Sequence, residues 1–239
     1  MTIKNNKKKL LLIFSIIIAL IIMALFIINK YFRNTKVPYL TNNSKYNIIE
    51  IPSFISNEEC DRIINISIKK GLQKSELYVK DSDEIDTNIR NSNQVWLSDE
   101  IPEAKNISEK VEKLLNIPKS HQEELQVLQY NKNGKYDPHY DACNDMDDEE
   151  NACKRMNGNA GPRYLTVIIY LNDDFTGGTT YFPLIDKHII PVKGKALIFQ
   201  DTEYRKPYKV LEKSIHGGEP IIDGSKWIMT KWIHHNEYN

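Results

Sequence analysis

The hydrophobic pattern of the chain changes twice. From Leu10 to Ile28 it is apolar throughout except at Ser15. At about 1.5 Å of rise per residue, a helix of that length spans a bilayer core. No small-residue cleavage site follows it, because the chain continues Asn29-Lys30-Tyr31-Phe32-Arg33. The run therefore predicts an uncleaved transmembrane anchor. Residues 29–46 are polar, contain Pro38 and read as a linker. Helical spacing follows. Ser56 and Glu59 form the pattern of a capping box, with Ile55 and Cys60 placed to staple across it. Ile63, Ile64 and Ile68 continue one face, and Gly71 suits the stop. A second helix is predicted from about Pro102 to Asn116, with Ile107, Val111, Leu114 and Leu115 on one side.

From Leu125 the pattern becomes that of short strands. These are Leu125 to Tyr130, Tyr136 to Asp141, Arg163 to Leu171, Thr179 to Phe182, His188 to Pro191, Lys195 to Phe199, Lys209 to His216 and Lys226 to His234. Asn133-Gly134, Asn172-Asp173-Asp174 and Gly177-Gly178 punctuate them. Helices first and strands later predict an α+β fold. Many short strands with regular turns predict a double-sheet jelly roll (double-stranded β-helix) or barrel, with supporting amino-terminal helices and a single transmembrane helix before them. The expected organisation is a basic tail (1–9), an anchor (10–28), a linker (29–46) and one catalytic domain (47–239) with its core at 125–235. Between the helices lies Arg90-Asn91-Ser92-Asn93-Gln94-Val95-Trp96-Leu97. It reads equally as a strand entering the core and as a segment bordering the active site.

Charge narrows the choice of partners. The 239 residues carry 32 basic and 32 acidic side chains, so no global field attracts nucleic acid. Lys4, Lys7, Lys8 and Lys9 precede the anchor. A basic tail favours the cytosol, which predicts a type II protein with its catalytic domain in the endoplasmic reticulum lumen or outside the cell. Asn42-Asn43-Ser44, Asn65-Ile66-Ser67 and Asn106-Ile107-Ser108 would be glycosylation acceptors there. Three cysteines are too few for a disulfide scaffold. Cys143 and Cys153 flank an acidic run, and both a loop-closing disulfide and two free thiols fit them.

His139 and Asp141 carry the candidate chemistry. On a strand, residues i and i+2 leave the same face. His216 is the best candidate for a third ligand. Two imidazoles and a carboxylate on one face of an ion, with the other positions open, suit a non-haem Fe(II) oxygenase. Lys226 lies among Trp227, Ile228 and Met229. Taken alone, that stretch reads as an alternating strand with Lys226 turned to solvent. A buried ammonium there would need an anionic partner.

Several segments in order resemble one family. They are Tyr130…Gly134-Lys135-Tyr136-Asp137-Pro138-His139-Tyr140-Asp141, Arg163-Tyr164-Leu165-Thr166…Tyr170-Leu171-Asn172, Gly177-Gly178-Thr179-Thr180-Tyr181-Phe182-Pro183, Pro191 to Phe199, and His216-Gly217-Gly218-Glu219-Pro220…Lys226-Trp227…Lys231-Trp232-Ile233. Together they are similar to the prolyl 4-hydroxylases, which are 2-oxoglutarate- and Fe(II)-dependent dioxygenases. The resemblance implies that His139, Asp141 and His216 bind Fe(2+) and that Lys226 pairs with the distal carboxylate of 2-oxoglutarate. It implies that Tyr130, Tyr170 and Trp232 line the cosubstrate pocket, with plain core packing an open alternative for these three. Arg90 and Ser92 match the family's Arg-Thr-Ser segment and would meet the substrate. L-ascorbate would rescue oxidised iron. The implied reaction hydroxylates C4 of a peptidyl proline, in a collagen-like or proline-rich chain, while 2-oxoglutarate is decarboxylated to succinate. The same chemistry on peptidyl lysine or a small molecule, and a silent jelly-roll binding module, are the competing readings. One departure is Thr179, where the family usually has Glu.

Overall fold

The computed structural model describes residues 47–79, 82–84, 86–143, 157–204 and 206–238, with the isolated positions 18 and 23. The predicted tail and linker, the anchor 10–28 apart from Ile18 and Met23, and Cys153 lie outside the described residues. Among the described residues no helix is long and apolar enough to cross a membrane.

The described elements are two α-helices, seventeen strands and four 3-10 turns. In chain order they run β1 (Ile48–Ile51), α1 (Asn57–Lys70), β2 (Gln73–Lys74), β3 (Leu77–Val79), β4 (Ser82–Glu84), β5 (Asn93–Leu97) and α2 (Pro102–Leu115). Next come β6 (Leu125–Tyr130), β7 (Tyr136–His139), β8 (Arg163–Tyr170), β9 (Thr176–Gly177), β10 (Thr180–Phe182), β11 (Lys187–Ile189) and β12 (Ala196–Gln200). The last are β13 (Thr202–Glu203), β14 (Lys206–Val210), β15 (His216–Gly218), β16 (Ile221–Asp223) and β17 (Lys226–His234).

The helices start and stop as their residues dictate. Ser56 Oγ accepts from the Glu59 amide, and the Glu59 carboxylate accepts from the Ser56 amide. Such a cap is worth about 1 kcal/mol. Gly71 closes α1 at positive φ. Pro102 opens α2, and Asn116 ends it in the left-handed region.

A seven-stranded sheet has the order β1-β12-β8-β17-β6-β5-β2, and a four-stranded sheet the order β11-β10-β15-β7. Strand alternation gives the large sheet two buried faces. Val127, Val167, Ile169, Ile198 and Met229 pack with Cys60, Ile63, Ile107, Val111 and Leu115 of the two helices. Leu128, Ile168, Tyr170, Leu197, Phe199 and Ile228 leave the opposite face and pack with Phe182 and Ile189 of the small sheet. One sheet therefore separates a helix-backed core from an intersheet core, and the intersheet space holds the candidate site.

Several boundaries differ from expectation. The predicted strand Lys209 to His216 is two elements, β14 and β15, separated by a 3-10 turn at Glu212–Ser214. The chain leaves a ribbon with β13 there and enters the small sheet, a change of partner that local alternation does not signal. The strand predicted to reach Asp141 ends at His139. The strand predicted over His188 to Pro191 is Lys187–Ile189. β1 was not anticipated, and neither was the β3–β4 hairpin.

Candidate active site

β15 and β7 are neighbours in the small sheet, and His216 stands opposite His139 across them. That register brings two imidazoles from remote parts of the chain to a ring separation of 4.5 Å. Asp141 lies just past the end of β7. Its Oδ1 is 3.6 Å from His139 Nε2 and its Oδ2 is 3.7 Å from His216 Nε2. The three donor atoms lie within 4.8 Å of one another, and this is the one such group among the described residues.

The tautomers are set by the backbone. His139 Nδ1 is 2.8 Å from Asp137 O, and His216 Nδ1 is 3.0 Å from Ser214 O. A carbonyl only accepts, so both Nδ1 atoms carry a proton and both Nε2 atoms face the centre. Burial, and next the nearby His139, push His216 down to about 4, so it is neutral at pH 7. Burial alone would raise the Asp141 carboxyl, but His216, His139 and Arg163 hold it well below the usual carboxylate range. Two imidazoles and one carboxylate form a donor set that fits Fe(II).

A cavity of about 460 Å³ opens from this centre. One wall is the inner face of the large sheet, through Gln126, Leu128, Tyr130, Ile168, Ile228 and Trp232. Lys226 also lines it. Lys226 is 3% exposed and does not face solvent, so the simpler reading of that strand is overturned. The reason is register. Lys226 pairs with Tyr130 across β17 and β6, so both side chains share the intersheet face. Its Nζ donates to Gly178 O at 2.6 Å, and burial lowers it to about 7, against the opposing pull of Glu219. Gly178 has φ +67°, and a Cβ there would lie 2.4 Å from Ile221 Cδ1, so that position needs glycine.

A family model described as the 2OG-Fe(II) oxygenase superfamily matches residues 125–234. The chain is 35% identical over 211 residues to "Probable prolyl 4-hydroxylase 8" of Arabidopsis thaliana, an alignment covering 78% of this chain and 68% of that protein. The chain belongs to the prolyl 4-hydroxylase family. It is an enzyme of the 2OG-Fe(II) oxygenase class. A "Putative prolyl 4-hydroxylase" of Acanthamoeba polyphaga mimivirus is 37% identical over 158 residues, covering 64% of this chain and 62% of that protein, less than two thirds of its length. Among solved structures, the viral collagen prolyl hydroxylase from Paramecium Bursaria Chlorella virus-1, a 2OG complex, superposes with a TM-score of 0.62 at 30% identity. That match covers 81% of this chain and 98% of the viral one.

Within this prolyl 4-hydroxylase fold the other anticipated residues separate into two groups. Tyr130, Trp232 and Arg90 line the cavity. Tyr170 is fully buried and does not line it; its hydroxyl donates to Thr180 Oγ1 at 2.8 Å, and Thr180 lines the wall. Ser92 also stands behind the wall, accepting from Arg90 Nε and donating to Ser75 Oγ. Arg90 lies over the Tyr136 ring at 4.7 Å. The Arg90–Leu97 segment is thus both a strand and a border of the site. The departure at Thr179 has a counterpart, because Thr179 Oγ1 is hydrogen-bonded to the carboxylate of Glu219 at the cavity rim. Cys143, also on the rim, is disulfide-bonded, and Cys60 is a free buried thiol.

Sequence reasoning missed Arg163 and Glu123. Arg163 Nε and Nη2 donate to the two Glu123 oxygens at 2.5 and 2.9 Å, and Nη1 donates to Asp141 O at 3.3 Å. Its guanidinium lies 3.6 Å from the Trp232 ring centre. Burial opposes ionisation of Glu123, but Arg163 and His234 outweigh it and lower the carboxyl to about 2. A signal existed. Arg163 is the lone charge heading an otherwise apolar strand, and a buried guanidinium requires a partner. Nothing local indicates that the partner is forty residues away.

Proposed function

We propose that this chain hydroxylates C4 of peptidyl proline in collagen-like or proline-rich polypeptides, using Fe(II) held by His139, Asp141 and His216 with 2-oxoglutarate as cosubstrate. The observation carrying this reading is one cavity lined both by the His-Asp-His cluster and by a buried lysine, Lys226, whose Nζ is hydrogen-bonded to a backbone carbonyl and, among the described residues, to no carboxylate. A bound Fe(II) ion supplies dioxygen activation coupled to decarboxylation of 2-oxoglutarate to succinate. The protein's own residues bind, orient and exclude water. The backbone carbonyls of Asp137 and Ser214 keep both imidazoles in the ligating tautomer. Lys226 receives the distal carboxylate, with Tyr130 beside it on the large sheet and Thr180 contributed by the small sheet. The unpaired buried Nε1 of Trp232 and Oε1 of Gln126 on that wall offer a donor and an acceptor to bound molecules.

The substrate assignment rests on shape and on the relatives. Trp96, Tyr136, Tyr140 and Trp232 give the cavity aromatic walls, and a proline-rich chain is extended with no internal hydrogen bonds to break. The curated relatives are named prolyl 4-hydroxylases, and the viral structural relative is a collagen prolyl hydroxylase. Incubation of Gly-X-Pro, proline-rich and lysine peptides with protein, Fe(II), 2-oxoglutarate and ascorbate, read by mass spectrometry, tests the proposal. Gain of one oxygen on proline is expected. Oxygen on lysine alone would reassign the acceptor, and absence of succinate would leave a binding module.

The anchoring proposal is separate. The apolar run 10–28 behind four lysines supports a type II membrane protein with its catalytic domain in the endoplasmic reticulum lumen or the exterior. Protease protection of residues 47–239 in sealed microsomes is expected, and digestion without detergent would reverse the orientation.

A further inference from the structure

Behind the candidate metal centre, one hydroxyl lies within hydrogen-bond distance of two carboxyl groups. Thr166 Oγ1 is 2.7 Å from Asp141 Oδ2 and 2.8 Å from Asp201 Oδ2. Thr166 and Asp201 are both completely buried. A hydroxyl has one proton to donate and two lone pairs that accept. It can donate to only one of the two oxygens, and at the other it must accept. An ionised carboxylate has nothing to donate, so one of the two carboxyls carries a proton. A metal-binding carboxylate is deprotonated, which makes Asp141 the ionised member and leaves the proton on Asp201. A second observation agrees. Asp201 Oδ1 is buried with no hydrogen-bond partner, a costly place for an ionised oxygen and a tolerable one for a neutral acid.

We propose that Asp201 is a neutral carboxylic acid that donates to Thr166 Oγ1, so that Thr166 donates to Asp141 Oδ2 and turns the Asp141 carboxylate toward the ion. Asp201 is a positioning residue, and its role rests on the reading of His139, Asp141 and His216 as ligands. The fold builds the relay from two neighbouring strands. Thr166 pairs with Phe199 across β8 and β12, and two residues further on Asp201 leaves the same intersheet face. Holding Oδ2 from the Thr166 side leaves Oδ1, which faces His139 Nε2, as the unencumbered oxygen.

Two measurements test this. Infrared difference spectra of the metal-free wild-type protein at neutral pH should show the carbonyl stretch of a buried protonated acid. The band should disappear in Asp201→Asn and survive the addition of Mn(II). Calorimetric titration with Mn(II) should find affinity reduced ~10-fold or more in Asp201→Ala and in the near-isosteric Thr166→Val, as for other ligand-orienting partners. Asp201→Asn, whose amide can still donate to Thr166, should bind within about threefold of wild type on the same scale. Absence of the band, its persistence in Asp201→Asn, or wild-type affinity in both Asp201→Ala and Thr166→Val would overturn the relay. Failure of the wild-type protein to bind Mn(II) would instead overturn the metal reading, while the infrared band would still decide the state of Asp201.

Discussion

The pH dependence of 2-oxoglutarate binding is a direct test of the buried lysine. Lys226 is 3% exposed and hydrogen-bonded to a neutral carbonyl, Gly178 O. Burial lowers it to about 7 in the ligand-free cavity. A carboxylate beside Nζ favours the charged form, so the pKa rises on binding and a proton is taken up whenever Lys226 starts neutral. The sign follows. Binding is at full strength below pH 7 and weakens as pH rises through 7. At about pH 6 the free lysine is nearly all charged, and at about pH 8 roughly nine tenths of it is neutral, a difference of about tenfold in affinity or ~1.4 kcal/mol. Isothermal titration of the Mn(II)-loaded protein in two buffers of different ionisation enthalpy measures both affinity and proton uptake. Close to one proton per ligand is expected at the higher pH. Lys226→Met should bind ~2–5 kcal/mol more weakly and show no uptake. A wild-type affinity that is flat across this range, with no proton uptake, would refute the reasoning.

Three further outcomes follow from the geometry. His139→Ala and Asp141→Ala should each abolish metal binding and succinate release, measured by bound-metal analysis and a coupled succinate assay; full activity in either would place the centre elsewhere. Gly217→Ala should weaken metal binding without unfolding the chain. Its new Cβ would lie 2.9 Å from Tyr136 O and 2.8 Å from Tyr181 Cε1, forcing β15 off β7 and parting His216 from His139. Arg163→Ala strands the buried Glu123 carboxylate and should cost ~3–5 kcal/mol, a fall in Tm of roughly 10 °C for a domain of this size, read by differential scanning calorimetry. Arg163→Lys should recover only part of it, since an ammonium cannot make the bidentate pair.

Local chemistry made much of this protein legible from its residues alone. The capping pattern at Ser56 and Glu59, Pro102 at a helix start and the β-branched run from Arg163 act over a few residues, so they read correctly without a fold. Where a segment changes partners the reading failed, as at Lys209 to His216, because sheet membership is a long-range property. The same distinction runs through the site. His139 and Asp141 announce themselves by spacing, and the resemblance to the prolyl 4-hydroxylases, segment by segment, points to His216 and Lys226. Whether Lys226 faces water or the cavity depends on its register with Tyr130, and alternation allows either face. Tyr170 is an aromatic in a matching motif, and its fully buried hydroxyl reaches the cavity wall through Thr180. Arg163 with Glu123, and Thr166 with Asp201, meet across strands far apart in sequence. Residue types and short-range spacing thus determined the elements and named the metal-binding candidates, because those depend on local energies. Sheet order and register decided which polar groups share the dry intersheet space and therefore need one another, because burial and pairing belong to the packed structure.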